Sequence, residues 1–316
     1  MKNPESILVV GSIAFDDLEM PSGSFRDVVG GAATYSSLAA SLLAPARLVG
    51  IIGEDFAESM LATLRDRGVD TEGVERVAGG KTFRWHGRYA ADLSSRVSLD
   101  TQLNVFADFR PKIPAAYKGS KFVLLGNIHP ALQLEVLSQV ERHAPPHGLV
   151  AADTMNFWIS GEPKLLGDVL KRIDLLVINE EEARELSGIH NVARAAADIR
   201  ARGPRLLIVK RGEYGALLFD DAGVFFCPGY PLEEVIDPTG AGDTFAGGLL
   251  GYVARHGDAS PKTLRRAMFY ASALGSFCVE DIGTRRLAAV APAELAARID
   301  AFSRMVDYGG SLAISH

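Results

Sequence analysis

The residues best able to do chemistry lie in one glycine-rich run, DPTGAGDTFAGGLLGY, at residues 237–252. Its pattern predicts a turn followed by a helix that begins near Ala241. The first amides of a helix have no partner inside the helix, and the helix dipole makes that end favourable for anions. Gly240 and Gly242 leave room for a phosphate to approach the backbone closely. The run therefore predicts a phosphate-binding site.

Asp243 falls in the first turn of this predicted helix, beside the anion site. Its carboxylate could accept the proton of an attacking hydroxyl, while the amides of residues 240–242 stabilise charge on a transferred phosphoryl group. An aspartate at a helix start can also be a simple cap. A cap does not explain two glycines in the turn and three more inside the helix, where each costs roughly 1 kcal/mol relative to alanine. We therefore interpret the run as a phosphoryl-transfer site.

Strands and helices alternate along most of the chain that must position this run. Near-continuous runs of Val, Ile and Leu recur, as is typical of strands buried on both faces of a parallel sheet. These runs are 7–10, 48–52, 122–125, 149–152, 175–178 and 206–209. Segments with helical spacing lie between them, at 34–43, 56–67 and 192–202. The predicted fold class is α/β, with a doubly wound, mostly parallel sheet flanked by helices.

Two segments, 15–29 and 81–106, depart from this alternation. The second, KTFRWHGRYAADLSSRVSLDTQLNVF, alternates aromatic or β-branched residues with polar ones, as strands with one exposed face do. We predict that the two segments form a small β-sheet beside an α/β core made of 1–14, 30–80 and 107–316, either as a lid over a cleft or as an exposed decoration or dimer contact. Trp85 on the lid could stack on a base or could simply pack there. The tail 308–316 is predicted to be a loosely held end.

The composition limits the class of protein. The chain has 316 residues, of which 47% are hydrophobic and 23% charged, and its formal net charge is −6. This acidic balance argues against nucleic acid as the main partner, because affinity for the phosphate backbone depends on clustered Lys and Arg. The two cysteines indicate neither a disulfide framework nor a zinc site, and no apolar stretch is long enough to span a bilayer. We expect a cytoplasmic protein that binds neither nucleic acid nor membrane.

The run DPTGAGDTFAGG resembles the C-terminal signature of the ribokinase-like, or PfkB, carbohydrate kinase family. Other segments resemble the landmarks of that family in the expected order over nearly the whole chain. They are GSIAFDD with Asp16, GGAATYSSLAASLL with Gly30 and Gly31, INEEEARELSG with Asn179 and Glu182, and VKRGEYGALLF with Lys210, Gly212 and Gly215. The resemblance implies a ribokinase-like fold and an ATP-dependent kinase that phosphorylates an alcohol group of a sugar or nucleoside.

The resemblance implies a role for each matching position. Asp243 would be the general base, and the amides of Gly240, Ala241 and Gly242 would form the anion hole. The substrate would contact Asp16, Gly30 and Gly31; the nucleotide would contact Asn179, Lys210, Gly212, Gly215, Gly240 and Gly242; and Glu182 would bind Mg²⁺ through water. The implied cofactors are ATP and Mg²⁺, and the resemblance also allows a monovalent cation. The lid would close over the substrate and form the interface of a homodimer.

Three positions depart from the family pattern. Tyr35 stands where family sugar kinases commonly carry Asn, Lys210 where Thr is usual, and Ser272 where an Asn of the adenine-contacting helix is usual. We keep Tyr35 as a candidate for substrate binding and Ser272 as a candidate for nucleotide binding. These changes leave the catalytic run intact and the substrate open, although Tyr35 and the aromatic lid favour a nucleoside over free ribose.

Two polar residues follow predicted strands at the position where open α/β sheets bind ligands. Asn127, in LLGNIHP, is predicted either to bind substrate or to shape its loop. Asp153, in VAADTMNFW, could face the same cleft or accept a hydrogen bond from local backbone.

Two other functions are alternatives to the sugar or nucleoside kinase. A non-catalytic protein that senses a nucleotide or sugar could use the same fold, but it would be expected to lose Asp243 or the glycines, and this chain keeps them all. A hydroxymethylpyrimidine- or pyridoxal-type kinase usually lacks the full lid, so the strand-like segment 81–106 counts against it.

Overall fold

The computed structural model describes residues 4–307, and the tail 308–316 that was predicted to be loosely held lies outside this range. The strands are β1 (Ile7–Val10), β2 (Ala14–Met20), β3 (Gly23–Gly30), β4 (Ala46–Gly53), β5 (Val69–Val77), β6 (Phe83–Tyr89), β7 (Arg96–Gln102), β8 (Phe122–Leu125), β9 (Leu149–Ala152), β10 (Leu175–Asn179), β11 (Leu206–Lys210), β12 (Ala216–Asp220) and β13 (Gly223–Cys227). The helices are α1 (Ala32–Ser41), α2 (Glu58–Asp66), α3 (Pro130–Gln139), α4 (Asn156–Gly161), α5 (Pro163–Leu170), α6 (Glu180–Ser187), α7 (Val192–Ala201), α8 (Ala241–His256), α9 (Pro261–Cys278), α10 (Arg285–Ala289) and α11 (Pro292–Val306).

In the described part of the chain, nine strands form the central sheet, in the order β13-β12-β11-β10-β9-β8-β1-β4-β5. The pairs from β11 through β5 are parallel, and β12 and β13 add an antiparallel hairpin at one edge. All six apolar runs that were predicted to be buried strands belong to this sheet, so the predicted α/β class is confirmed. The strand order reverses at β1, and such a reversal opens a crevice at the carboxyl ends of the strands.

Apolar side chains cover both faces of the central sheet. One face packs under α1, α2, α8, α9 and α11, and the other under α3, α5, α6 and α7. Helix α8 lies close against α1. A Cβ at Gly247 would come within 2.1 Å of the backbone of Ser36, and a Cβ at Gly251 would come within 2.8 Å of the backbone of Ala40. The interior glycines of α8 therefore permit the approach that brings its first turn to the crevice.

A second sheet, with strand order β3-β2-β6-β7, covers the crevice. We call it the lid. Its cleft face is apolar at Leu18, Val28 and Tyr89, which pack with Ile282 of the core. The outer face carries ion pairs, including Arg84 with Asp17 and Asp27, and Arg88 with Glu19. After β7, residues 104–108 form a short 3₁₀ helix that packs against the core.

Between residues 4 and 307, none of the helices has the length and apolar character that crossing a bilayer requires.

Candidate active site

The crevice beneath the lid collects polar residues from neighbouring strand ends. Asp153 follows β9, Asn179 ends β10 and Lys210 ends β11. Because these strands are parallel neighbours, their carboxyl ends meet at one edge of the sheet. The first turn of α8 lies at the same edge, so the structure brings Asp243 together with residues that are far from it in sequence.

The turn before α8 is held in an unusual backbone shape. Gly240, the N-cap, has a φ of 74°, and a Cβ there would lie 2.4 Å from the ring of Tyr35. Fully buried Asp237 accepts the Thr239 amide at 2.9 Å and the Gly283 amide at 2.8 Å, which fixes the turn to a distant loop. No described side chain caps this helix start. The first amides of α8 therefore form a ready site for an anion.

The Lys210 ammonium lies directly over this helix start. Its Nζ is 2.9 Å from the point that a Cβ of Gly242 would occupy, and 3.4 Å from Oδ2 of Asp153. Burial disfavours its charged form, but the carboxylates of Asp153, Glu182 and Asp243 outweigh burial and raise the pKa of Lys210. A phosphate bound at the helix start would thus meet backbone amides and a charged ammonium together.

The Asp243 carboxyl is suited to proton transfer near neutral pH. Burial and the neighbouring Asp153 raise its pKa to about 7, against the opposing charges of Lys210 and Arg96. A general base works best when its pKa lies close to the operating pH. Ser36 donates a hydrogen bond from Oγ to the Asp243 carbonyl at 2.9 Å, which ties this part of α8 to α1.

Asn179 and Glu182 form a capping box at the start of α6. Oδ1 of Asn179 accepts the Glu182 amide at 2.8 Å, and Oε2 of Glu182 accepts the Asn179 amide at 2.8 Å. Burial and the neighbouring Asp153 raise the pKa of Glu182 to about 7. A poorly solvated carboxylate beside a second carboxylate is stabilised by a cation, so Glu182 fits a role in holding a hydrated divalent ion.

Asp16 stands on the opposite side of the crevice, on the cleft face of the lid. It is 5% exposed, and a Cβ at Gly30 would lie 2.0 Å from its Oδ2, so only glycine there leaves space for the carboxyl. Burial and the charges of Asp237 and Asp243 raise the pKa of Asp16 to about 8. Gly31, at φ 95°, is the N-cap that precedes α1 beside it. The structure therefore places Asp16, Gly30 and Gly31 together and near the first turn of α8.

Three other predicted site residues have side chains that contact the protein itself. Tyr35 is 1% exposed, its ring fills the space behind Gly240, and its hydroxyl has no hydrogen-bond partner among the described residues. Oδ1 of Asn127 accepts a hydrogen bond from Nε1 of Trp158 at 3.0 Å. The Ser272 hydroxyl donates a hydrogen bond to the Pro228 carbonyl at 3.1 Å.

Gly212 and Gly215 bound the tight turn between β11 and β12. A Cβ at Gly215 would lie 2.1 Å from the Cys227 carbonyl, so this turn packs closely on β13.

The contact between Tyr89 and Thr239 was not among the sequence-based predictions. The Tyr89 hydroxyl lies 2.7 Å from Oγ1 of Thr239, which joins the lid to the turn before α8. The period-2 pattern of segment 81–106 places Trp85, Gly87 and Tyr89 on one face, which was the available signal. The partner on the other side of the contact could not be predicted, because Thr239 is 150 positions away in the sequence.

Comparison with known proteins agrees with this geometry. Residues 5–290 match the profile of the pfkB family carbohydrate kinases. The chain is 31% identical over 256 residues to the cytidine kinase of Thermococcus kodakarensis, covering 79% of this chain and 88% of that protein.

Two solved structures share the fold at low sequence identity. The nucleoside kinase of Burkholderia thailandensis in complex with inosine superimposes with a TM-score of 0.74 at 22% identity, over 93% of this chain and 97% of that one. The fructokinase of Vibrio cholerae with fructose, ADP and calcium gives a TM-score of 0.72 at 22% identity, over 93% and 99%.

Proposed function

This chain belongs to the pfkB family of carbohydrate kinases, and we propose that its acceptor is a nucleoside hydroxyl that Asp243 deprotonates. The family activity, ATP-dependent phosphorylation of an alcohol group of a sugar or nucleoside, is the activity of this enzyme. The observation that carries the proposed mechanism is the position of Asp243, beside the uncapped start of α8 and across the crevice from Asp16.

Two observations support a nucleoside over a free sugar. Trp85 pairs with Asp16 across the lid strands, and the outer edge of its indole packs at Gly87, where a Cβ would come within 2.1 Å of the ring. An aromatic ring beside the residue that holds sugar hydroxyls offers a stacking surface for a base. The similarity to a cytidine kinase over most of both chains points the same way.

The proposed reaction is an in-line transfer. Asp16 orients the acceptor hydroxyl, and Asp243 takes its proton as the oxygen bonds to the γ-phosphorus of ATP. The bond from that phosphorus to the oxygen bridging to the β-phosphate breaks, and ADP leaves with the electron pair. The amides of Gly240, Ala241 and Gly242, together with the Lys210 ammonium, stabilise the charge on the phosphoryl oxygens.

Nucleotide and ion would bind on the strand side of the crevice. Gly212, Gly215 and Ser272 would border the nucleotide, and Asn179 would help to shape the site around its phosphates. Glu182 would hold Mg²⁺ through water, and the ion would neutralise phosphate charge.

A monovalent cation is a further cofactor that the family resemblance allows. Comparing the reaction rates in Na⁺, in K⁺ and in a bulky organic cation at equal ionic strength tests whether such a cation activates the enzyme. Equal rates would leave ATP and Mg²⁺ as the cofactors.

We also propose a homodimer formed through the lid. The edge strand β7 is exposed along its length, and Val97 and Leu99 on it are 64% and 40% exposed. An exposed edge strand with apolar side chains is a template for pairing with a second chain. Sedimentation at micromolar concentration should show a dimer, and a pure monomer would contradict this part of the proposal.

The decisive assay measures ADP release with Mg²⁺–ATP in the presence of cytidine, other nucleosides, pentoses, hexoses and sugar acids. We expect turnover to be highest with a nucleoside and to be largely lost in Asp243→Asn. The matched control is Asp168→Asn, because Asp168 is an exposed aspartate on α5 whose partner is Lys171. Turnover of sugars alone would refute the nucleoside assignment, and retained activity in Asp243→Asn would refute the base.

A further inference from the structure

Arg96, the first residue of β7, brings a second cation to the cleft face of the lid. In the β6–β7 pair it stands directly opposite Tyr89, and side chains of directly opposed residues lie on the same face. Since the Tyr89 hydroxyl reaches Thr239, immediately before Gly240, Arg96 stands beside the point where the lid meets the anion site.

The Arg96 guanidinium is positioned by an aromatic ring and not by an acid. It lies 5.6 Å from the centre of the Trp85 ring, and Trp85 is itself held by a 3.0 Å hydrogen bond from Nε1 to Ser98. The arginines of the outer face, Arg84 and Arg88, are ion-paired. Arg96 forms no ion pair with any residue between 4 and 307, so its charge is available to a ligand.

The Arg96 guanidinium interacts electrostatically with three carboxyls of the crevice. Burial raises the pKa of Asp16, Glu182 and Asp243, and the Arg96 guanidinium opposes that rise at all three. In the proposed site, Asp16 contacts the substrate, Glu182 holds the metal ion and Asp243 is the base. A cation that acts on all three lies near the place where acceptor and phosphate meet.

We propose that Arg96 is a catalytic residue that the closed lid delivers to the phosphoryl group in transfer. This inference rests on the proposed function, because a nucleoside acceptor is neutral and the transferred group is then the anion at that place. Arginine donates from a planar fork to two phosphate oxygens and stays protonated throughout. The proton of the acceptor still goes to Asp243, and the phosphorus–oxygen bond to ADP still breaks.

This arrangement couples chemistry to closure of the lid. When the lid opens, Arg96 withdraws from the anion site while Lys210 and the α8 amides remain. The open enzyme can therefore hold ATP but lacks part of the charge that transfer needs. Transfer to water is slow until an acceptor closes the lid.

The test compares Arg96→Ala and Arg96→Lys with Arg88→Ala, a control that removes a lid arginine from the outer face. By analogy with losing one donor to the transition state, we expect Arg96→Ala to lower kcat about 100-fold. The KM for the nucleoside should change less than about 3-fold, since the contact forms mainly in the transition state. Arg96→Lys should recover part of kcat, and Arg88→Ala should match the wild type. Equal thermal unfolding midpoints would show that all variants fold.

Two results would overturn the inference. An unchanged kcat in Arg96→Ala would show that the guanidinium does not reach the transferred group. A raised KM for the acceptor with kcat intact would show that Arg96 binds a substrate anion instead. If the wild type turns over another acceptor and not nucleosides, the proposed function fails on that observation. The Arg96 comparison is then made with the acceptor that is turned over.

Discussion

Replacing Asp243 by Asn should inactivate the enzyme and at the same time make the protein without nucleotide more stable. Burial and Asp153 raise the pKa of Asp243 from an ordinary 3.8 to about 7. A difference of this size corresponds to roughly 4 kcal/mol by which folding opposes ionisation of the carboxyl. The carboxyl keeps some contact with cleft solvent, and the new amide must also be buried, so we expect a net gain of about 1–2 kcal/mol.

The pH dependence of this gain distinguishes its cause. The unfolded chain ionises Asp243 near pH 3.8, but the folded chain does so only near 7. Between these values the unfolded state binds fewer protons, so wild-type stability falls as pH rises, and the loss is complete above about 7. The advantage of Asp243→Asn should therefore be small at pH 5 and largest at pH 8.

The assay is thermal unfolding of the wild type, Asp243→Asn and the control Asp168→Asn at pH 5 and pH 8, with kcat measured on the same preparations. At pH 8 the midpoint of Asp243→Asn should rise by roughly 3 °C for a domain of this size. Loss of the base should lower kcat by about 10² to 10⁴. A midpoint difference that is the same at both pH values, or that is negative at pH 8, would refute the reasoning from burial.

Three further substitutions test the rest of the crevice. Gly240→Ala should lower both kcat and the unfolding midpoint, because φ is 74° and the new Cβ would clash with the Tyr35 ring; equal midpoints would show that the turn adapts. Lys210→Met should lower kcat about 100-fold and raise the KM for ATP, and normal ATP kinetics would remove Lys210 from the site. Tyr89→Phe loses the 2.7 Å contact with Thr239 and should lower kcat/KM for the acceptor up to about 10-fold, whereas an unchanged ratio would mean that the contact does not hold the lid closed.

The central sheet could be predicted from the sequence because most of its parallel strands are buried on both faces and therefore appear as plain apolar runs. The first turn of α8 could be predicted for a similar reason, since its glycines and Asp243 are contiguous in the chain. Pairing of Lys210 with Asp153 could not be predicted, because it depends on which strand ends become neighbours in the sheet.

The surroundings of Tyr35 could not be predicted from the sequence for a different reason. Its role in binding the substrate stays a prediction, whereas its contact with Gly240, which the Tyr35 ring packs against from behind, is visible only in the structure. A residue type and its place in a motif cannot say which side of a turn a side chain will fill.

The charges in the crevice explain why its cations come from several sources. Burial raises the pKa of four carboxyls there, those of Asp16, Asp153, Glu182 and Asp243, and Lys210 is the cation that the core itself places among them. The charged form of these carboxyls is already disfavoured and an anion beside them disfavours it further, so the crevice favours a nucleotide that brings its own divalent ion. The Arg96 guanidinium supplied by the lid would then complete the site only while an acceptor is enclosed. The base, the anion hole and the acceptor would therefore come together only in the closed enzyme.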